Sequence, residues 1–361
     1  MFPHKGESWV DRDRLVGIQV ARAAAALSIA YFHSWVVLER FPKDTAFPLP
    51  ILTGYGWLAV DLFFAISGFV ICIVVSGPRF SVRSFLIKRV FRLYPLWLVT
   101  LTTFCVLALL WRGPRATETL GYFFYSATLL PTEQFPFYDI GWSLQHEMAF
   151  YLIAAIIVPI FGLYGIAAFL AASTIAVHTI AMPWYFSSLA SYHAEFLAGV
   201  LAFIARPKLV KLGFWFPFSV GFAALYYFVA LWGGRPFIPL ALFFLITAFS
   251  NIPDKPSRWL KPVSAVGDAS YSIYLIHPLV FLIVSALVSK AMPPIWGEEL
   301  IRAGCFVLIL SLSLASWKYF ETPMIGLGNM LAIGRAKPDR VNAIKQPIQL
   351  QTETPPSADF L

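Results

Sequence analysis

Arg22 and His33 are the only charged or imidazole side chains in the apolar run Leu15 to Leu38. Eleven residues at about 100° each bring them to within about 20° of one helix face, and at about 1.5 Å per residue they stand about 16 Å apart. A cation inside such a run costs roughly 2.5–3.5 kcal/mol to insert in a membrane, so it is usually kept for function. Imidazole suits proton transfer near neutral pH. Guanidinium suits phosphate, which it grips in a forked geometry. A reactive group at one end of a helix face and a phosphate grip at the other point to a long phosphorylated ligand threaded between them.

The elements that must hold this face belong to a membrane protein. The 361 residues are 59% hydrophobic and 13% charged, where a soluble domain carries about 25% charged residues. The fold class expected is therefore all-α: a polytopic integral membrane protein of about ten transmembrane helices. The runs lie at 15–38, 55–76, 84–111, 143–161, 163–182, 188–205, 213–232, 235–251, 266–289 and 300–320. An eleventh, 118–130, is short for a crossing and reads as interfacial or re-entrant on the outer side. With both termini cytoplasmic, nineteen of the 27 basic residues face the cytoplasm, seven face outward and Arg22 stays within the membrane, as the positive-inside rule requires. The net charge of +8 thus reads as topology, with no nucleic-acid partner expected. The division expected is a cytoplasmic segment 1–14, a transmembrane domain 15–325 and a disordered cytoplasmic tail 326–361. Nothing in residues 1–12 reads as a cleaved signal peptide. Cys72, Cys105 and Cys305 sit in apolar runs and match no disulfide framework or metal spacing, so no metal is expected.

This topology sorts the polar residues by depth. His33, Asp61, Glu147, His193 and Glu195 fall in the outer half; Arg22, Arg89, Arg92 and Glu321 fall in the inner half. Two carboxylates, Asp61 and Glu147, beside His33 would orient the imidazole as a general base. Arg89 and Arg92, at i and i+3, share a face. Each assignment has a plainer counterpart. Arg22 can snorkel, His33 can pack helices, and Arg89 and Arg92 can be topology signals alone. Asp61 can lock helices, and Glu147 can complement a helix N-terminus. Ser67-Gly68 reads as close helix packing. His277, next to Pro278, reads as satisfying a freed carbonyl, and Glu321 as pairing with Lys318. His193 and Glu195 carry the weakest functional signal.

Five segments in order carry a resemblance: Arg22-x10-His33; Phe64-Ala-Ile-Ser67-Gly68-Phe69; Lys88-Arg89-Val-Phe-Arg92-Leu-Tyr-Pro95; Trp142-Ser143-Leu144-x2-Glu147-x2-Phe150-Tyr151; and Ser270-Tyr271-Ser272-Ile-Tyr274-Leu-x-His277. Over about residues 12–325 the chain resembles acyltransferase family three, the membrane O-acyltransferases of bacterial surface polysaccharides and related glycans. The resemblance implies ten spans in the bacterial inner membrane. It implies an acyl-CoA donor, most often acetyl-CoA, and a hydroxyl of a surface polysaccharide or lipid-linked sugar as acceptor at the outer face. It also implies a catalytic His33, and Arg22, Arg89 and Arg92 as donor-binding residues. No appended esterase-like domain accompanies the motifs, so action alone, as an oligomer or with separate partners is expected, among membrane lipids. His146 occupies a variable position of its motif and receives no role. A proton-coupled transporter or flippase for a lipid-linked sugar is the alternative, because buried His and carboxylates also build proton relays.

Overall fold

The computed structural model describes residues 15–37, 49–78, 80–111, 113, 115, 118–227, 237–253, 258, 260–287 and 295–333. Every regular element among the described residues is helical: α1 (Val16–Val37), α2 (Pro50–Tyr55), α3 (Ala59–Val75), α4 (Val82–Trp111), α5 (Leu120–Ala127), α6 (Gly141–Thr179), α7 (Trp184–Ala190), α8 (His193–Leu209), α9 (Trp215–Leu225), α10 (Ile238–Ser250), α11 (Leu260–Asp268), α12 (Ser270–Leu287), α13 (Ile295–Ser316) and α14 (Thr322–Ile333). A 3-10 turn, Gly56–Leu58, joins α2 to α3, and a π-helical turn, Trp317–Glu321, joins α13 to α14.

Six helical stretches among the described residues are long and apolar enough to cross a membrane: Leu52–Val75, Val82–Trp111, Gly141–Thr179, Trp184–Leu212, Ser270–Leu287 and Glu299–Ala332. Their outer faces expose large apolar side chains, such as Leu98, Val106 and Leu110 on α4 and Ile156 and Ile160 on α6, a surface that calls for hydrocarbon rather than water. The chain is a multi-pass membrane protein. Helix α1, which carries Gln19, Arg22 and His33 along its 22 residues, is not among these six stretches. The short 118–130 run carries only the eight-residue α5. Residues 326–333, expected at the start of the tail, are the end of α14. The rest of that tail and the segment 1–14 lie outside the described residues.

One element is two. As a single rod α6 would be about 58 Å long at 1.5 Å per residue. Yet His146, in its second turn, reaches the backbone oxygen of Ser188, nine residues beyond its end, at 3.0 Å. A straight helix would carry Thr179 about 50 Å from His146, and nine extended residues return at most about 32 Å. The rod must fold back, and it does so at Gly162, whose φ of 65° and ψ of −162° belong to a region essentially reserved for glycine. Residues 141–161 and 163–179 are separate limbs, divided where the sequence places its break. Gly213, between α8 and α9, repeats the same backbone geometry.

Packing is organised on α1. Its residues enter all three apolar clusters: Ala25 and Ile29 in one, Ile18 and Ala21 in the second, Ala26 and Ala30 in the third. Small side chains let neighbouring backbones approach closely, which is how membrane helices gain dispersion energy without a hydrophobic drive. A Cβ on Gly17 would lie 1.7 Å from the Phe249 oxygen of α10, and one on Gly267 of α11 would lie 2.0 Å from the Gln19 oxygen. The same device joins α3 to α8, through Gly68 against Phe196 and Gly199 against Ala65.

Candidate active site

His33, in the last turns of α1, and Asp61, in the first turn of α3, line one cavity of about 210 Å³ with Ile29, Trp57, Val60, Trp142, Tyr192 and Tyr274. The 3-10 turn before α3 sets Trp57 and starts the helix so that Asp61 points inward; Asp61 is 1% exposed. The aromatic wall is stiff. Trp142 and Tyr192 stand with ring centroids 5.3 Å apart, and Phe64 packs on both. Tyr274 is held from α12 by Ser143, 2.8 Å away, and by donating to the Ile140 oxygen at 3.1 Å.

His33 has a partner that sequence reasoning did not assign. Its Nδ1 lies 2.7 Å from Nε2 of His277 on α12. The ring planes agree within 9° and the centroids are 5.0 Å apart, which is the N···N distance plus about one ring radius on each side. The imidazoles therefore lie edge to edge in one plane, the geometry of a direct N–H···N hydrogen bond. His277 also has its Nδ1 2.9 Å from the Ile273 oxygen. The carbonyl that Pro278 frees is that of Tyr274, four residues before it, so this bond to Ile273 is a different one from the bond read from the sequence, and the contact with His33 is additional. The signal available was direction: α12 runs the same way as α1, so both histidines sit toward the same end.

Arg22, toward the other end of α1, is met by Arg89 and Arg92 of α4. Arg22 lies within Coulombic reach of Arg92, Glu147, Tyr151 and Asp268. Arg89 on α4 stacks its guanidinium 5.1 Å from the Tyr151 ring centroid and 5.4 Å from that of Phe85. Glu321 feels Arg92 and Arg22 and accepts a hydrogen bond from Ser272; the π-helical turn, with Thr322 Oγ1 donating to the Trp317 oxygen at 2.8 Å, contains it. Among the described residues none of these three guanidiniums is in ion-pair contact with a carboxylate, which leaves their donor forks open. Glu147, Asp268 and Glu321 offset part of the repulsion among these three cations, and a polyphosphate is a ligand class that their guanidinium forks can grip.

Glu147, expected beside His33, is not among the cavity residues. Its Oε1 accepts from Ser67 at 3.1 Å and from the Tyr151 hydroxyl, and it belongs with the arginines. The reason is depth along α6: Trp142 lines the cavity, and five residues further on, about 7.5 Å at helical rise, Glu147 meets α3 at Ser67. Ser67 thus adds a polar contact to the packing role of its neighbour Gly68. Tyr151, not singled out from the sequence, bridges Glu147 and Arg89. His193 pairs with Ser173 at 2.6 Å in a separate buried contact between α8 and the second limb of α6, and Glu195 is buried near it on α8. His146 ties α6 to α7 by directing its two ring nitrogens to the Trp142 and Ser188 oxygens. Among the described residues no three metal-ligating side chains cluster.

The two ends share their walls. Helices α1, α3, α6 and α12 each supply a residue at the cavity level (His33, Asp61, Trp142, Tyr274) and one at the arginine level (Arg22, Ser67, Glu147, Ser272). Such a site can hold a phosphorylated ligand at one level and move a proton at the other.

With that geometry in place, the comparisons are specific. The family model described as "Acyltransferase domain" matches residues 15–319. "Exopolysaccharide production protein ExoZ" of Rhizobium meliloti (strain 1021) is 28% identical over 257 residues, 64% of this chain and 78% of that protein. "Putative acetyltransferase ORF330" of Acidianus two-tailed virus is 30% identical over 139 residues, 38% of each chain. No solved structure matches.

Proposed function

The chain belongs to the acyltransferase domain family, an enzyme family that transfers acyl groups, and from that premise we propose that it moves an acyl group, acetyl in the simplest case, from acyl-CoA to a hydroxyl of an exopolysaccharide or its lipid-linked precursor. Similarity to a protein named for exopolysaccharide production supports the acceptor class. The observation that carries the reading is the shared set of four helix walls, with His33 and Asp61 at one level and Arg22 at the other, where α4 brings Arg89 and Arg92 beside the Tyr151 that contacts Glu147. The arginines hold the nucleotide phosphates of the donor. The run of wall between the two levels receives its pantetheine arm.

At the cavity, His33 Nε2 takes the proton of the acceptor hydroxyl as its oxygen closes on the thioester carbonyl carbon. The C–O bond forms, the carbonyl electrons move to oxygen, and Asp61 in the same cavity balances the imidazolium charge. When the carbonyl re-forms, the C–S bond breaks and His33 returns its proton to the thiolate, regenerating the neutral base. Glu147, held by Ser67 and Tyr151, shapes the arginine end and takes no part in the proton transfer. Ten crossings of the bacterial inner membrane, with both termini cytoplasmic, put the arginines on the side where acyl-CoA is made and His33 toward the surface glycan.

Purified protein in liposomes with [14C]acetyl-CoA and surface polysaccharide extracted from a deletion strain tests this. Wild type labels the glycan, His33→Gln drops labelling by about 100-fold or more, and Arg22→Ala acts on donor KM. Label transfer by His33→Gln at the wild-type rate refutes the mechanism. Glycan transport without an acyl-CoA requirement would restore the transporter reading.

A further inference from the structure

We propose that His277 is a positioning residue that selects the tautomer of His33, keeping the proton on Nδ1 and the lone pair on Nε2. The proposal rests on the reading of His33 as general base and concerns how its basic nitrogen is chosen.

The argument is one of hydrogen counting. A carbonyl oxygen only accepts, so the bond between His277 Nδ1 and the Ile273 oxygen, 2.9 Å, places a proton on His277 Nδ1. The ring is fully buried, with Tyr274 and Phe281 rings as neighbours. An imidazolium there would be a charge in a dry site, which costs several kcal/mol unless it is paired. As a neutral ring His277 has a bare Nε2, which accepts. The 2.7 Å coplanar contact with His33 then requires His33 Nδ1 to be the donor. A neutral imidazole carries one ring proton, so His33 Nε2 has none. The chain of bonds from Ile273 through His277 leaves on His33, which lines the cavity with Asp61, one free nitrogen, and that nitrogen is the base. Without the relay both tautomers of His33 are open, and the one with Nε2 protonated cannot accept the acceptor's proton. The backbone supports the relay: His277 sits one residue before Pro278 on α12, and that helix is pinned beside it by Tyr138, which donates to the Leu275 oxygen at 2.8 Å.

The test combines kinetics with a direct view of the tautomer. His277→Phe keeps the ring volume and removes the acceptor; His277→Gln returns an acceptor oxygen to the Nε2 position. In liposomes the Phe variant loses about 100-fold in kcat while KM for acetyl-CoA stays within twofold, and the Gln variant recovers most of the loss. A packing defect would instead leave both variants equally impaired. Solid-state NMR of the wild-type protein labelled with 15N-histidine, with His33→Gln to assign the signal, shows His33 protonated at Nδ1. Wild-type protein with His33 protonated at Nε2 overturns the proposal even if no variant folds. Full kcat in His277→Phe overturns it too, while a dead His33→Gln in the same assay leaves the general-base reading standing.

Discussion

Gly199→Ala should inactivate the enzyme from the far side of α3. Gly199 of α8 faces the α3 backbone so closely that an added Cβ would lie 1.8 Å from the Ala65 oxygen and 2.7 Å from the Phe69 nitrogen. Ordinary contact begins at 3.4 Å, so the helices must part by the difference, 3.4 less 1.8, or about 1.6 Å. The obstacle is backbone within a helix, which no rotamer change can relieve. Two terms oppose each other. Alanine in a helix interior is worth about 1 kcal/mol over glycine, and overpacking costs typically 1–3 kcal/mol, so the net loss of stability is modest and the fold survives. Activity is the sensitive readout. Asp61 is one turn from Ala65 on the displaced helix, and a shift of about 1 Å in a reacting group can cost about 100-fold in rate. The assay is acetyl transfer in liposomes together with thermal unfolding in detergent. A kcat reduced by about 100-fold with a Tm lowered by a few degrees is expected. Gly304→Ala on α13, where a Cβ meets nothing within 4 Å, should stay fully active and gain up to about 1 kcal/mol. Wild-type kcat and Tm in Gly199→Ala would refute the close-packing argument.

Arg92→Ala should raise the KM for acetyl-CoA by roughly 10–100-fold, the equivalent of one charge-assisted bond of about 1.5–3 kcal/mol, with kcat little changed; initial rates at varied donor separate the two. Gly162→Ala places a side chain in a glycine-only backbone region, at a cost of about 1–3 kcal/mol, and should open the reversal between the limbs of α6, read as a lowered Tm and new protease cleavage near residue 162. Tyr151→Phe removes a hydroxyl that donates to Glu147 and should lower Tm by an amount equivalent to about 1.5–3 kcal/mol, and Ser67→Ala, which removes the other hydroxyl donor to the same carboxylate, should lower it as well; parallel melting curves measure both.

The membrane class, the helical runs, the break near residue 162 and the shared face of Arg22 and His33 were all legible in the sequence, because each is set by short-range periodicity or by the cost of polar groups in hydrocarbon. Depth was legible more coarsely. Helix direction assigned Asp61 to the level of His33, and the cavity holds both, but direction alone cannot resolve a turn and a half of helix, so Glu147 was expected beside His33 and stands with the arginines. That choice belongs to how α6 packs on α3, where Ser67 donates to the Glu147 carboxylate at 3.1 Å. The contact of His33 with His277, 244 residues apart, had no local signature at all. It exists because small residues on α1 let α12 approach closely enough for two rings to meet edge to edge, and only the tertiary structure decides distances of that kind.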